Sequence, residues 1–327
     1  METNASTVNE MYKEALQSFV EKARSDDQII AAILLGSLSY DQVWEKSDID
    51  MKLIVHDQKL PMQGRCFVEN GITINASIQT RDEFKRWVEK SVSTSFNHSY
   101  LLRGTLLFTK DKSLEVYFAN IRYIGERDRQ LQLLQLGCFL LGGLAKAEKW
   151  LYVKNDEAYS AFWMIKMIDS LAQIEVIRNG EVPMREVVQQ AMTYNPQFFR
   201  DIYGGLVSGP ADRAKVQASL DRIVQFVRER ELELYRPILD YLKQEQDVRS
   251  VTEMSEKLGA VVRMDAGVLE LACSWLVDRG YLLLMPVETK ATPKSRVFLE
   301  EPGYMLEMPD DEDEFSKIKE SGDENLY

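Results

Sequence analysis

Ile29-Ile30-Ala31-Ala32-Ile33-Leu34-Leu35-Gly36-Ser37, then a spacer of ten residues, then Asp48-Ile49-Asp50-Met51-Lys52-Leu53: this stretch decides the fold. Its first part, Ile29 to Leu35, is a nearly continuous apolar run of strand length, which predicts a strand covered on both faces. The run ends at Gly36-Ser37. Glycine there lets backbone come close to a ligand, and serine can offer an N–H and a hydroxyl at the start of a helical turn, where the dipole favours phosphate. A second strand is predicted from Ile49 to Val55. Asp48 and Asp50, two apart, then point to the same face. Carboxylates so placed repel unless a cation lies between them, and magnesium is commonly held by a couple of carboxylates plus phosphate oxygens.

Outward from this stretch, the apolar spacing Val8, Met11, Ala15, Leu16, Phe19, Val20, Ala23, with Thr7 and Glu10 as a capping box, predicts an amphipathic first helix. Asn70-Gly71 is a hairpin turn, followed by the two-residue alternation of Ile72, Ile74, Ala76, Ile78 against Thr73, Asn75, Ser77. Thr80 with Glu83 caps a helix carrying Phe84, Trp87 and Val88. A strand at Gly104 to Phe108 closes a mixed sheet with helices on it. After about residue 119 the period becomes 3.6, with helices expected at 128–153, 156–179, 183–194 and 211–233. From about Tyr235 three helices, the second behind a Ser250/Glu253 capping box, and strands at 281–287 and 295–300 follow the winged-helix order. The expected division is 1–118, 119–234 and 235–308, with an acidic tail at 309–327. The last four residues, Glu324-Asn325-Leu326-Tyr327, match the start of a protease-tag site and are set aside as a tag remnant.

The bulk composition narrows the chemistry. The 327 residues are 45% hydrophobic and 28% charged, enough for two or three cores. The formal net charge of -12 opposes a long phosphate backbone as partner. Three cysteines, Cys66, Cys138 and Cys273, form no even framework and read as reduced thiols, which points to the cytoplasm. Only His56 and His98 are available as imidazole ligands, so zinc is not expected and any catalytic metal falls to carboxylates. No stretch suits a membrane span. Lys52 reads as an exposed strand lysine, and Lys166 with Asp169 as an intrahelical ion pair. The third winged-helix helix, 264–279, sets Asp265, Glu270 and Asp278 against Arg279 alone. That charge balance suits a protein contact or acceptor positioning better than sequence-specific DNA binding.

An apolar strand, Gly-Ser, a spacer and Asp-x-Asp together resemble the signature of the nucleotidyltransferase superfamily, which includes DNA polymerase beta and kanamycin nucleotidyltransferase. By its three-part arrangement the whole chain resembles the nucleotidyltransferase-like (YgxA-like) proteins of Bacillus-type bacteria. The resemblance implies an α+β class: a nucleotidyltransferase mixed sheet with flanking helices, then a helical substrate-binding bundle and a winged-helix domain. It implies metal-dependent transfer of a nucleoside monophosphate from a nucleoside triphosphate (NTP) to a hydroxyl acceptor. Asp48 and Asp50 would be catalytic and bind the metal, Mg2+ or Mn2+, and Gly36 and Ser37 would bind phosphate.

The family uses three carboxylates, and here the chain departs from it. The position of the third falls in Ile72 to Ile78, whose polar face is Thr73, Asn75 and Ser77. That acid usually helps hold the first metal and takes a proton from the acceptor; an amide at position 75 binds metal more weakly and cannot take a proton. Glu69 and Glu148 are the acids considered as substitutes. The alternative reading is a catalytically inactive relative that binds nucleotide or a partner, with the winged helix as its interaction module.

Overall fold

The computed structural model describes residues 5–40, 47–91, 101–120, 125–209, 212–259 and 264–307. The spacer residues 41–46, the side chain of Ser37 and the acidic tail from 309 lie outside them. The chain forms two compact units, one of Met1–Arg129 with Ala172–Pro196, the other of Gln130–Leu171 with Gln197–Tyr327.

The first unit opens with helix α1 (Ala5–Ser25), which begins ahead of the Thr7 box. Met11, counted among its apolar positions, is 51% exposed, while Tyr12 is buried. Strands β1 (Ile29–Leu35), β2 (Ile49–Val55), β3 (Gly64–Glu69) and β4 (Ile72–Thr80) follow, then helix α2 (Arg81–Ser91), β5 (Thr105–Thr109) and helix α3 (Lys112–Asn120). The five strands make one sheet in the order β3-β4-β2-β1-β5, mixed because β2 and β4 run parallel while the other pairs are antiparallel. The continuous apolar run of β1 explains its central place. Ala32 and Leu34 join α1, Met51 and Ile74 in one core, and Ile33 and Leu35 join Ile54, Phe84 and Val88 in the core on the opposite face.

Turn and cap chemistry fix this arrangement. Asn70 and Gly71 both have positive φ, 50° and 79°, as a two-residue hairpin turn between β3 and β4 requires. The capping box at the start of α2 is formed in both directions, the Glu83 amide donating to Thr80 Oγ1 at 3.3 Å and the Thr80 amide to Glu83 Oε2 at 2.9 Å. Asp111, read as part of a turn, also accepts from the Ser113 amide at 2.8 Å and so caps α3, a helix not expected from periodicity.

Helix α4 (Glu126–Glu148) passes from the first unit's residues into the second's and ends in a wider π-helical turn, Lys149–Val153. Helix α5 (Glu157–Arg178) returns to the first unit, where α6 (Val187–Tyr194) follows. The longer helices that follow, α7 (Arg213–Arg228), α8 (Arg236–Glu245), α9 (Val251–Gly259) and α10 (Ala266–Asp278), belong to the second unit, with short strand β6 (Arg249–Ser250) before α9. Strands β7 (Leu282–Thr289) and β8 (Leu299–Leu306) complete a three-stranded antiparallel sheet in the order β6-β8-β7. The last strand starts later than expected, after a turn in which the Thr292 amide donates to Ser295 Oγ at 3.1 Å. The Lys166 ammonium lies 4.4 Å from the Trp163 ring centre. Asp265 caps α10 through the Val268 amide, and Arg279 is drawn to buried Glu231 at 3.4 Å. Among the described residues no helix is long and apolar enough to cross a membrane.

Candidate functional site

The site lies in the first unit, where three strand ends meet. Because β1 is antiparallel to β2, its last residue, Leu35, pairs with Asp50; because β4 is parallel to β2, Asn75 pairs with Asp50 from the other side. Gly36 follows at φ +71°, a left-handed backbone that glycine adopts without penalty. Space demands glycine as well, since a Cβ at this position would stand 2.6 Å from Asp50 Oδ2. The following turn, Ser37–Tyr40, is a single 3-10 turn, with Ser39 donating to the Gly36 carbonyl through both its amide, at 3.1 Å, and its hydroxyl, at 2.6 Å. So short a helix builds little macrodipole. What the turn offers is close backbone approach beside a carboxylate.

Asp48 is exposed just ahead of β2 and accepts a hydrogen bond from Asn75 Nδ2. Asn75 therefore bonds the first acid while its backbone is in register with the second. Tyr12 reaches across from α1 and donates its hydroxyl to the Ser47 carbonyl at 2.5 Å, fixing the approach to Asp48. Burial and the charge of Asp48 push the Tyr12 phenol above its ordinary pKa. The predicted residues Gly36, Asp48 and Asp50 are thus brought together, with the Ser37 backbone next in the chain. Among the described residues no group of three His, Cys, Asp or Glu side chains could hold a metal ion.

Glu69 does not supply the missing acid. A two-residue turn sets it opposite Ile72, on the α1 face of the sheet, away from Asp50 and Asn75. There it is ion-paired with Lys22 at 2.7 Å and accepts from Ser18 at 2.7 Å, contacts that hold its carboxyl below the usual range. Glu148 lies in the second unit.

Lys52 departs most from expectation. It is buried, 4% exposed, on the same face as Asp50. Its ammonium donates to Gln79 Oε1 at 3.0 Å and Ser77 Oγ at 3.4 Å and sits 3.9 Å from the centre of the Trp87 ring on α2. Burial pushes its pKa down from 10.5 to about 8. Lys52 and Asp50 line a cavity of about 480 Å³ together with Asn75, Ser77, Cys66, Arg65 and Trp87. The sequence held a signal for Lys52 in its spacing of two from Asp50; its burial depended on Trp87 covering that face.

The fold has a solved counterpart. The crystal structure of a nucleotidyltransferase-like protein from Exiguobacterium sibiricum superposes with a TM-score of 0.64, covering 90% of this chain and 99% of that one at 14% identity. No family model matches the sequence, and neither does any curated protein. The α+β architecture is therefore a nucleotidyltransferase-type fold, with its mixed five-stranded sheet followed by a largely helical C-terminal region.

Proposed function

We propose that the chain is a metal-dependent nucleotidyltransferase, moving a nucleoside monophosphate from an NTP to a hydroxyl acceptor. The observation that carries this reading is the Gly36–Asp50 contact: a bare backbone turn held against a carboxylate, beside a second acid, at the ends of three strands. Gly36 and Ser37 would seat the triphosphate, and Asp48 and Asp50 would hold Mg2+ or Mn2+. The donor set suits one ion completed by phosphate oxygens, since magnesium accepts one or two carboxylates with substrate phosphates. A bound ion supplies charge neutralisation at the transferred phosphoryl group. Tyr12 keeps Asp48 in place through Ser47, and Asn75 fixes the Asp48 carboxylate by donating to it. On this reading the chain groups with the YgxA-like proteins and works in the cytoplasm. Residues 119–234 then bind the acceptor, and 235–308 form a winged helix that contacts protein or positions the acceptor.

A second reading, a non-catalytic nucleotide-binding relative, is favoured by Asn75, which donates to Asp48 and cannot take a proton from an acceptor. Thermal unfolding with each NTP, with and without magnesium, tests both. Ligand at a hundred times its dissociation constant stabilises the fold by about 2.7 kcal/mol. The expected result is a magnesium-dependent shift in the natural chain that Asp50→Asn loses while remaining folded. No shift with any nucleotide, or an unchanged shift in the variant, refutes nucleotide binding at these residues. Turnover of a bound nucleotide separates the enzyme from the binder.

A further inference from the structure

We propose that Lys52 makes the cavity beside Asp50 a seat for an oxyanion, a carboxylate or phosphate carried by the acceptor. The assignment to the acceptor rests on the proposed function; the seat itself does not. Burying an ammonium is unfavourable unless it is paired. Among the described residues Lys52 meets neutral partners only: Gln79, Ser77 and the Trp87 ring. An ammonium has three donors, and two are engaged, so one remains for a ligand. The ring attracts the cation through its quadrupole but carries no compensating charge. A cation held this way would be stabilised by an anion brought to its free donor.

The cavity is built to receive one. Its volume of about 480 Å³ suits a small molecule, and Arg65, Asn75 and Ser77 add polar groups to its lining. Asp50 and Lys52 stand on one face of one strand, two residues apart, so the cavity carries opposite charges on a single wall. Gly36 touches Asp50 at the β1 side, where a donor's phosphates would approach; Lys52 bonds to residues of β4, on the other side. A ligand with its reacting hydroxyl toward Asp50 and its anionic group on Lys52 would be oriented by both.

The test uses the indole N–H signals of the five tryptophans in a proton–nitrogen correlation spectrum of the full chain in EDTA, titrated with inorganic phosphate and, separately, acetate. The Trp87 signal is assigned by its loss in Trp87→Phe. It is expected to move saturably in the natural chain and in Lys52→Arg, and affinity should fall about tenfold or more in Lys52→Met, the scale of one lost charge-assisted hydrogen bond. A Trp87 signal that stays still in the natural chain overturns the seat, whether or not Lys52→Met folds; so does an unchanged response in folded Lys52→Met. Repeating the titration with saturating magnesium–NTP assigns the source. Phosphate still moving the signal supports the acceptor, and competitive loss overturns that assignment. A Trp87 response in a chain whose unfolding ignores every NTP leaves the seat standing and removes only the nucleotide reading.

Discussion

Gly36 and Asp50 occupy a shared space: the Asp50 carboxylate fills the position a side chain at residue 36 would need, 2.6 Å from its Cβ. Gly36→Ala therefore meets two penalties, the left-handed backbone and the displaced carboxylate. Gly71→Ala, at a similar positive φ of 79° with nothing within 4 Å, meets only the first. Urea denaturation should show Gly71→Ala losing about 1 kcal/mol, the cost of a left-handed non-glycine residue. Gly36→Ala should lose more and also abolish the magnesium-dependent nucleotide shift. Equal losses in the two variants would mean that Asp50 moves aside at no cost.

Asn75→Asp replaces a hydrogen bond to Asp48 by a repulsion. Without metal the variant should melt lower than the natural chain, and magnesium or manganese should restore it. Calorimetry should show divalent-ion affinity raised about tenfold, one added carboxylate ligand. An ion affinity no higher than that of the natural chain would sink the idea that position 75 borders the metal.

For Lys52 the folded pKa, about 8, lies below the ordinary 10.5, so the unfolded chain binds the extra proton between those values. Stability then rises with pH across that window, by up to roughly 3 kcal/mol, and is flat in this respect below it. Lys52→Met should remove the rise and be more stable than the natural chain at neutral pH, since no cation remains buried. Parallel urea midpoints for both chains over pH 7.5 to 10.5 check this. A rise of the same size in Lys52→Met would assign it elsewhere.

Cys66 is exposed and lines the cavity, while Cys138 and Cys273 are buried. Burial pushes the Cys138 thiol up to about 12 and Cys273 well above its ordinary value, which leaves both as unreactive thiols. Mass spectrometry after brief alkylation of the folded chain should find one label, on Cys66, and three after unfolding. The singly labelled chain should lose its phosphate response at Trp87. Rapid labelling of Cys138 in the folded chain would contradict the packing of α4.

Much of the sheet was legible because its signals are local. The apolar run of β1, the Asn70-Gly71 turn and the Thr80/Glu83 box each depend on neighbours in sequence, and each stands where its chemistry requires. Glu69, carried in the sequence reading as a substitute acid, was misplaced although the turn held the signal: a two-residue turn sets it opposite Ile72, hence on the apolar face. Lys52 was not legible, because its burial depends on Trp87, contributed by a helix more than thirty residues further on. The π-helical turn at Lys149–Val153 and helix α3 carried too weak a period of their own to be found.

The parallel pairing of β2 with β4 has a genetic corollary. It fixes residue 75 beside Asp50 through backbone hydrogen bonds alone, whatever side chain stands there. Asparagine and aspartate codons differ by a single base, a transition at the first position. One such event exchanges an amide for an acid at the heart of the site while the sheet, its register and its turns stay as they are. On the proposed function, one inherited step therefore turns the two-acid site of this chain into a three-acid one, and one step turns it back.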